Sequence, residues 1–476
     1  MALTASALLL AVALGVTLAE SVPIGLAMLL ALLYAPVVFL NLPVAIGLWL
    51  PLAFFEGLPG VRLGPEAAGI LITLGWIATL LVYPEQAKEV VRRHRVLFTG
   101  LAGFLIWIGL SLAWAKEVGP AAGYLWPWFE VALFLTIVAT AVSEPRHVRL
   151  LLTGFVLGAA ASVLIGLLGQ GLGTAATAEL AQAGRLQGGA GDPNYLAAGL
   201  VPALALGVGL IATTRNPAGR WWLAVAIAVL MAGLASSESR GGLIAGLVCA
   251  LLAVIVFKKS RLATIGGLVA LIVVAGAWFM ANPAAWQRVT ETKADAGSGR
   301  VDLWRIGWRM IGDYPVAGVG LRNFGVEAPQ YTRAPGVLRF VKHVERRQEP
   351  HNVYLALWAE TGVIGLLLFL IVPVGALRAA SLAAKRFDQL GDTRMAVLSR
   401  VALLGLAGML TASFFLPNGT DKRLWFLMGI CLALLASAQR QAAARGLLTS
   451  WEAKSTGSHQ TPSLVRSASR ASTPFS

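Results

Sequence analysis

Four short polar clusters interrupt this apolar chain where packing does not call for them. They are Arg185 with Asp192-Pro193-Asn194, Ser239-Arg240-Gly241-Gly242, Gly297-Ser298-Gly299-Arg300, and His351-Asn352. An arginine in such a place suits phosphate, because its planar guanidinium offers paired donors and keeps its charge. Arg240 stands between two apolar runs with only Ser236, Ser237, Glu238 and Ser239 around it. It is either an interfacial arginine that snorkels or pairs with Glu238, or a nearly buried guanidinium that fork-binds a phosphate. In the second reading Gly241 and Gly242 allow close backbone approach. Gly297-Ser298-Gly299 ahead of Arg300 would aim free N–H groups at the same anion, or be a linker with Ser298 as a helix cap. Asp192 caps a helix that Pro193 opens, whereas Asn194 and Arg185 are required by no cap and remain candidates.

His351 follows Pro350 at the start of an apolar helix. A helix N-terminus disfavours imidazolium, and the nearby Arg346 and Arg347 push the same way, so the ring is expected to be neutral near pH 7 and able to accept a proton. The alternative is an interfacial hydrogen-bonding histidine. The loops on this side carry no HExxH, no Asp-x-Asp pair and no Cys/His cluster, so neither a metal nor another cofactor is expected. Preorganised arginines can stabilise a departing diphosphate where other transferases use a divalent ion. Cys249 and Cys431 sit far apart inside apolar runs and read as packing residues.

The elements that must position these groups are set by hydropathy. With 57% hydrophobic and 13% charged residues, and with apolar runs of membrane length recurring along the chain, the fold class is an all-α polytopic membrane protein. The runs imply about 12–14 transmembrane helices, the first three segments being short enough to make two crossings and an interfacial piece. The N-terminal run, from about residue 4 to 19, has no basic residue before it and reads as a membrane segment, not a removed signal. A net charge of +15 raises nucleic acid as a partner, but many of the cations sit in short loops between spans, where they serve as orientation signals. Membrane lipid is the expected surrounding, and nucleic acid is not an expected partner.

The basic loops carry Lys88, Arg92, Arg93 and Arg95; Arg146 and Arg149; Arg215 and Arg220; Lys258, Lys259 and Arg261; and Arg378, Lys385, Arg386 and Arg394. These alternate loops share one face, which the positive-inside rule makes cytoplasmic. The four polar clusters then share the opposite, external face. The organisation expected is a first helical bundle over 1–280, an external loop over 281–350, three last helices over 351–438, and a disordered cytoplasmic tail over 439–476. Within the loop, 301–311 has helical patterning, with Trp304, Trp308 and Ile311 on one stripe and Arg305 and Arg309 beside it. Amphipathicity leaves open whether that helix lies in the headgroup layer or packs on a small core of the loop itself.

Taken in order, Ser239-Arg240-Gly241, Gly299-Arg300 with Trp304, Tyr314-Pro315, Gly318 and Gly320 with Phe324, and His351-Asn352 with Tyr354, Glu360, Gly362 and Gly365 resemble the O-antigen ligase and polymerase superfamily. The resemblance runs from about Gly184 to Gly365. It implies a glycosyltransferase of the bacterial inner membrane that takes a glycan from undecaprenyl diphosphate on the periplasmic side, by a metal-independent, inverting reaction. For a ligase the acceptor is a sugar hydroxyl of the lipid A-core. Carried over residue by residue, His351 would position or deprotonate the acceptor, and Arg185, Arg240 and Arg300 would bind and neutralise the diphosphate. Asn194 joins that binding set, Asn352 and Trp304 stand beside it, and Arg322, Arg346 or Arg347 can replace any of the three arginines. O-antigen ligase is the leading expectation. An O-antigen polymerase and a protein O-oligosaccharyltransferase share the donor, and a lipid or polysaccharide transporter is the alternative of another class. Transporters often carry charged residues within spans and broken helices in related halves, which this sequence does not display.

Overall fold

Apolar runs whose backbone groups find no water must satisfy them internally, and here they do so as helices. The computed structural model describes residues 21–58, 63–171, 184–290, 300–332 and 349–446, and among these there is no strand. The segment at 4–19, the Gly297-Ser298-Gly299 run, Arg346, Arg347 and the tail beyond 446 lie outside the described residues. In chain order the helices are α1 (Val22–Leu40), α2 (Leu42–Trp49), α3 (Leu63–Val82), α4 (Pro84–Arg93), α5 (Arg95–Leu110), α6 (Val118–Ala141), α7 (Pro145–Gly171), α8 (Pro193–Thr213), α9 (Pro217–Ser236), α10 (Arg240–Val256) and α11 (Arg261–Ala281). Three short helices follow, α12 (Pro283–Thr290), α13 (Arg300–Asp313) and α14 (Phe324–Thr332). The chain then forms α15 (Val353–Gln389), α16 (Thr393–Ala412) and α17 (Lys422–Ala444).

Asp192, Asn216, Ser239, Asn352, Asp392 and Asp421 each precede a helix and accept from amides of its first turn. The starts are therefore written in side-chain chemistry. Eight of the described helices are long and apolar enough to cross a membrane, or nine if the pair Glu66–Val82 and Pro84–Arg93, bent by 98°, is one span. Shorter apolar helices stand beside these among the described residues, Met28–Leu40, Leu42–Phe54 and Arg240–Val256. The run through α1 and α2 is cut at Asn41, whose side chain caps α2, and Arg240–Val256 is among the shorter apolar helices. A difference from expectation lies in α15. Its apolar run was expected to give way to a basic loop near Arg378, yet the helix continues through Arg378, Lys385 and Arg386 to Gln389. The alanines Ala379, Ala380, Ala383 and Ala384 explain this, being good helix formers that are buried.

The bundle is centred on α17, which is buried from Arg423 through Gln439. Lipid gives no hydrophobic push between helices, so close packing must hold them. Trp128 of α6 meets Phe104, Phe369 and Trp425 edge-on at 5.0, 6.0 and 6.3 Å between ring centroids. Between α8 and α16 the contact is made by small residues, with Gly209 against Val401 and Gly405 against Pro202. Outward-facing Trp126, Leu157, Trp221 and Trp222 present the apolar surface that a lipid environment requires.

One helix is broken in a way that shapes the rest. At Gly362 the backbone of α15 takes φ 67° and ψ −177°, a region open to glycine because it has no Cβ. The turn after α13 docks into the break. Val319 N donates to Ala359 O at 3.0 Å, Gly320 N to Glu360 O at 2.8 Å, and Val363 N to Pro315 O at 2.9 Å. Trp107 Nε1 takes the Thr361 carbonyl at 2.8 Å. The Glu360 carboxylate turns back to accept from Arg322 N at 2.9 Å and Phe324 N at 3.4 Å. Since an unpaired buried backbone group costs a few kcal/mol, the break and its docked turn must form together. A Cβ at Gly362 would stand 1.9 Å from Val316 O. Gly362→Ala is therefore expected to destabilise the protein by about 3 kcal/mol or more, seen as a lowered thermal unfolding midpoint in detergent, whereas Gly266→Ala, with open space around it, leaves the midpoint unchanged.

Candidate functional site

The candidate residues arrive from four helix ends. Arg185 lies in the segment before α8 and Asn194 in the first turn of α8. Arg240 opens α10, Arg300 opens α13, and His351 and Asn352 precede α15. Asn194 Oδ1 accepts from Ser239 Oγ at 2.8 Å and from Arg185 Nη2 at 3.2 Å, while Arg185 Nε donates to Ser237 O at 2.9 Å. Arginine has donors only, so the amide oxygen of Asn194 must face it. Arg185 and Asn194 thus tie the segment before α8 to the α9–α10 turn, and Leu186 N to Ser236 O at 2.9 Å reinforces the tie.

Asp192 caps α8, its Oδ1 accepting from Asn194 N at 2.7 Å and Tyr195 N at 3.0 Å. Its charge has a second use that the capping role concealed. Burial and the charge of Arg300 both hold the His351 imidazole below its ordinary value, with Asp192 opposing them in part. Arg300 is itself destabilised as a cation, first by burial and then by Arg240, again with Asp192 opposing. Asp192, Arg240, Arg300 and His351 therefore share one electrostatic neighbourhood. Among the described residues Asp192 is the carboxylate that acts on both Arg300 and His351, and Arg300 Nε is buried with no hydrogen-bond partner among them. Such a place favours an anion, since a phosphate would relieve both the like-charge repulsion and the unmet donor.

The backbone around His351 is held in an unusual conformation. His351, Arg322 and Glu238 are the described non-glycine residues with positive φ, at 49°, 60° and 47°. Left-handed backbone costs such residues about 1–3 kcal/mol each and persists only where surroundings impose it. At His351 the restraints are visible. Trp304 Nε1 donates to Pro350 O at 2.8 Å, Glu349 pairs with Arg322, and Asn352 Oδ1 caps α15 through Tyr354 N at 3.0 Å and Leu355 N at 3.1 Å. Asn352 and Trp304 hold the histidine's backbone in place. The guanidinium of Arg322 pairs with Glu349 and lies 4.4 Å from the Tyr124 ring centroid, so it is committed beside the arginine pair's neighbourhood instead of within it.

One expectation changes, and a question left open by the sequence is answered. Gly241 and Gly242 serve helix packing in place of ligand approach: a Cβ on them would meet Phe415 at 2.9 Å and Ala197 at 2.5 Å. The helix carrying Trp304 packs on a core of its own loop, where Leu303, Ile306, Met310 and Ile311 are buried with Phe324, Tyr331 and Leu355, while Trp308, Arg305 and Arg309 stay exposed. The pattern at 301–311 showed the stripe but carried no information on the partner surface. Sequence reasoning also passed over Asp192 as a charge and Glu349 as the partner of Arg322; the position of Glu349 two residues before His351 was the available signal. Among the described residues no group of three or more His, Cys, Asp or Glu is placed to hold a metal ion.

The protonation of His351 can be measured. Burial and Arg300 both disfavour the imidazolium, so His351 is expected to titrate below about 6.5 and to be neutral at pH 7. Arg300→Gln removes one of the two causes, so the midpoint should rise towards the ordinary value. NMR of side-chain-labelled histidine reads this directly, with His351→Asn assigning the signal among the five histidines.

No curated protein matches the chain. Residues 223–370 match a family model described as O-Antigen ligase. The match runs from within α9 to within α15 and takes in Arg240, Arg300, Trp304, Arg322 and His351, leaving Arg185 and Asn194 ahead of it. The matched stretch supports placing this chain with the O-antigen ligase superfamily, a family that implies a glycosyltransferase-like enzyme.

Proposed function

We propose that this protein is an O-antigen ligase, moving O-antigen polysaccharide from undecaprenyl diphosphate to a sugar hydroxyl of the lipid A-core on the periplasmic side of the bacterial inner membrane. The observation that carries the reading is the neighbourhood of Arg240, Arg300 and a half-buried, neutral His351, with Arg300 Nε unpartnered among the described residues. It offers an anion-binding group and a proton acceptor side by side. The orientation is supported by α8, which starts at Asp192 in the site and ends near Thr213, where Arg149 Nη1 donates to the Thr213 hydroxyl at 3.3 Å. Arg149 belongs to the basic loops that mark the cytoplasmic face.

In this reading Arg240 and Arg300 hold the diphosphate, and the Arg185–Asn194–Ser239 network fixes the turn that presents Arg240. The acceptor oxygen attacks the anomeric carbon as the bond from that carbon to the phosphate oxygen breaks, which inverts the centre. The bonding electron pair leaves with the diphosphate, whose added charge the guanidinium groups offset. The acceptor hydroxyl proton passes to the neutral His351 ring, which later gives it up to solvent.

Deletion of the gene is expected to leave O-antigen polymer on its lipid carrier and none on lipid A-core. Core bearing a single repeat unit would instead identify a polymerase, and loss of glycan from surface protein would identify a protein transferase. With purified components, His351→Ala should lower the transfer rate about 10²–10⁴-fold while donor binding is retained. Arg300→Ala should weaken donor binding as well as the rate. Arg240→Lys, which keeps the charge but loses the bidentate fork, should fall by about ten- to a hundredfold. Near-normal transfer by the histidine variant would remove it from the chemistry.

A further inference from the structure

The end of the bundle away from the Leu321–Asn323 segment carries a helix that its neighbours leave half uncovered. α5 runs 16 residues from Arg95, a length of about 24 Å. Beyond its far end Ser111 Oγ accepts from Leu321 N at 3.1 Å. α4, which precedes Arg95, therefore lies at the other end, among the basic loops. The chain reaches it through a sharp corner, α3 and α4 being bent by 98°. Pro84 makes the corner: its ring has no N–H to donate and disfavours helical backbone in the residue before it, and Tyr83 sits at φ −129° and ψ 59°. α4 is thus laid across the direction in which α3 runs.

The two faces of α4 differ. On the inner one Val90 is buried, and Glu89, Val90 and Arg93 border a small gap against Ala436, Gln439 and Arg440 of α17. The outer one carries Lys88, Val91 and Arg92, at i, i+3 and i+4, with Arg95 exposed just past His94. Exposed apolar side chains border it on both sides, Leu81, Val82 and Tyr83 before and Val96 after. Such a face belongs neither in hydrocarbon, where its cations are costly, nor in bulk water, which the apolar rim disfavours. It suits the headgroup layer, where guanidinium groups meet phosphate and the rim meets the upper acyl chains.

The charges say which headgroup. Lys88 is paired with Glu85 at 2.8 Å, and Arg93 is paired with Glu89. Neither Arg92 nor Arg95 has an ion pair or a side-chain hydrogen bond among the described residues. Over 84–95 four cations stand against two carboxylates, which leaves two positive charges. A zwitterionic headgroup would bring a further cation among them, whereas an anionic one with an uncharged end brings only the phosphate. We propose that Arg92 and Arg95, with Lys88 beside them, form a site for the phosphate of an anionic phospholipid in the leaflet at this end of the bundle. The site stands apart from the transfer reading and does not rest on it.

The test is equilibrium lipid binding by the full chain in detergent, with phosphatidylglycerol and phosphatidylcholine of identical acyl chains as probes and native mass spectrometry as the readout. Phosphatidylglycerol is expected to bind about tenfold more tightly. Arg92→Gln with Arg95→Gln should remove that preference and leave phosphatidylcholine binding unchanged. Arg378→Gln with Lys385→Gln, which removes two exposed cations of α15, should retain it. Equal binding of the two lipids by the wild-type protein would overturn the proposal. So would a double arginine variant, folded as judged by its unfolding midpoint, that still prefers phosphatidylglycerol. An equal loss in the α15 variant would make the preference one of net charge alone and would overturn the site as well. Hydrogen exchange of the wild-type protein in nanodiscs of each lipid needs no variant. Slower exchange over 84–95 in phosphatidylglycerol is expected, and its absence counts against the site even if the arginine variant misfolds.

Discussion

The architecture of the site depends on the broken helix at Gly362. A continuous α15 would bond the carbonyls of Ala359 and Glu360 within itself and leave the turn after α13 without a place to dock. Because the helix breaks, those carbonyls accept from Val319 and Gly320 instead. The first turns of α15, the 314–320 turn and the Arg322–Phe324 segment become one unit, with the Glu360 carboxylate as its buried clasp. His351 stands at the head of that unit, and Arg300 opens the helix that leads into it. The histidine and the arginine are thus positioned by the same hydrogen bonds although half a hundred residues separate them.

Electrostatics then sets what the unit can do. Burial and the charge of Arg240 both weigh against the Arg300 cation, and the carboxylate of Asp192 opposes them. Salt and water screen such charges at an open surface, but partly buried groups are screened less. The strained φ at His351 and Arg322 belongs with this: local structure is held away from its own preference by Trp304, Glu349 and the Asn352 cap, so the geometry is present before any ligand arrives.

Much of this was legible in the residues. The all-helical membrane class followed from apolar runs and their length, and the cap at Asp192 lies where its side-chain chemistry places it. The kinship to O-antigen ligases rested on ordered residues, and the family match spans most of them. What was not legible has physical reasons. Apolar composition cannot register a break such as that at Asn41, nor show that an alanine-rich stretch keeps α15 helical past Arg378. The glycines beside Arg240 look alike whether they admit a ligand or a neighbouring helix, and only the contacts with Phe415 and Ala197 decide it.

The burial of α17 carries a consequence for how the protein is made. It is the last of the described helices, yet it occupies the middle of the bundle, contacting helices that leave the ribosome well before it. Until it inserts, Trp128 of α6 and Phe155 of α7 lack the ring contacts they make with Trp425 and Phe426. Assembly therefore finishes from the inside, and a chain whose synthesis stopped short of Lys422 would hold its arginines and histidine around an open centre.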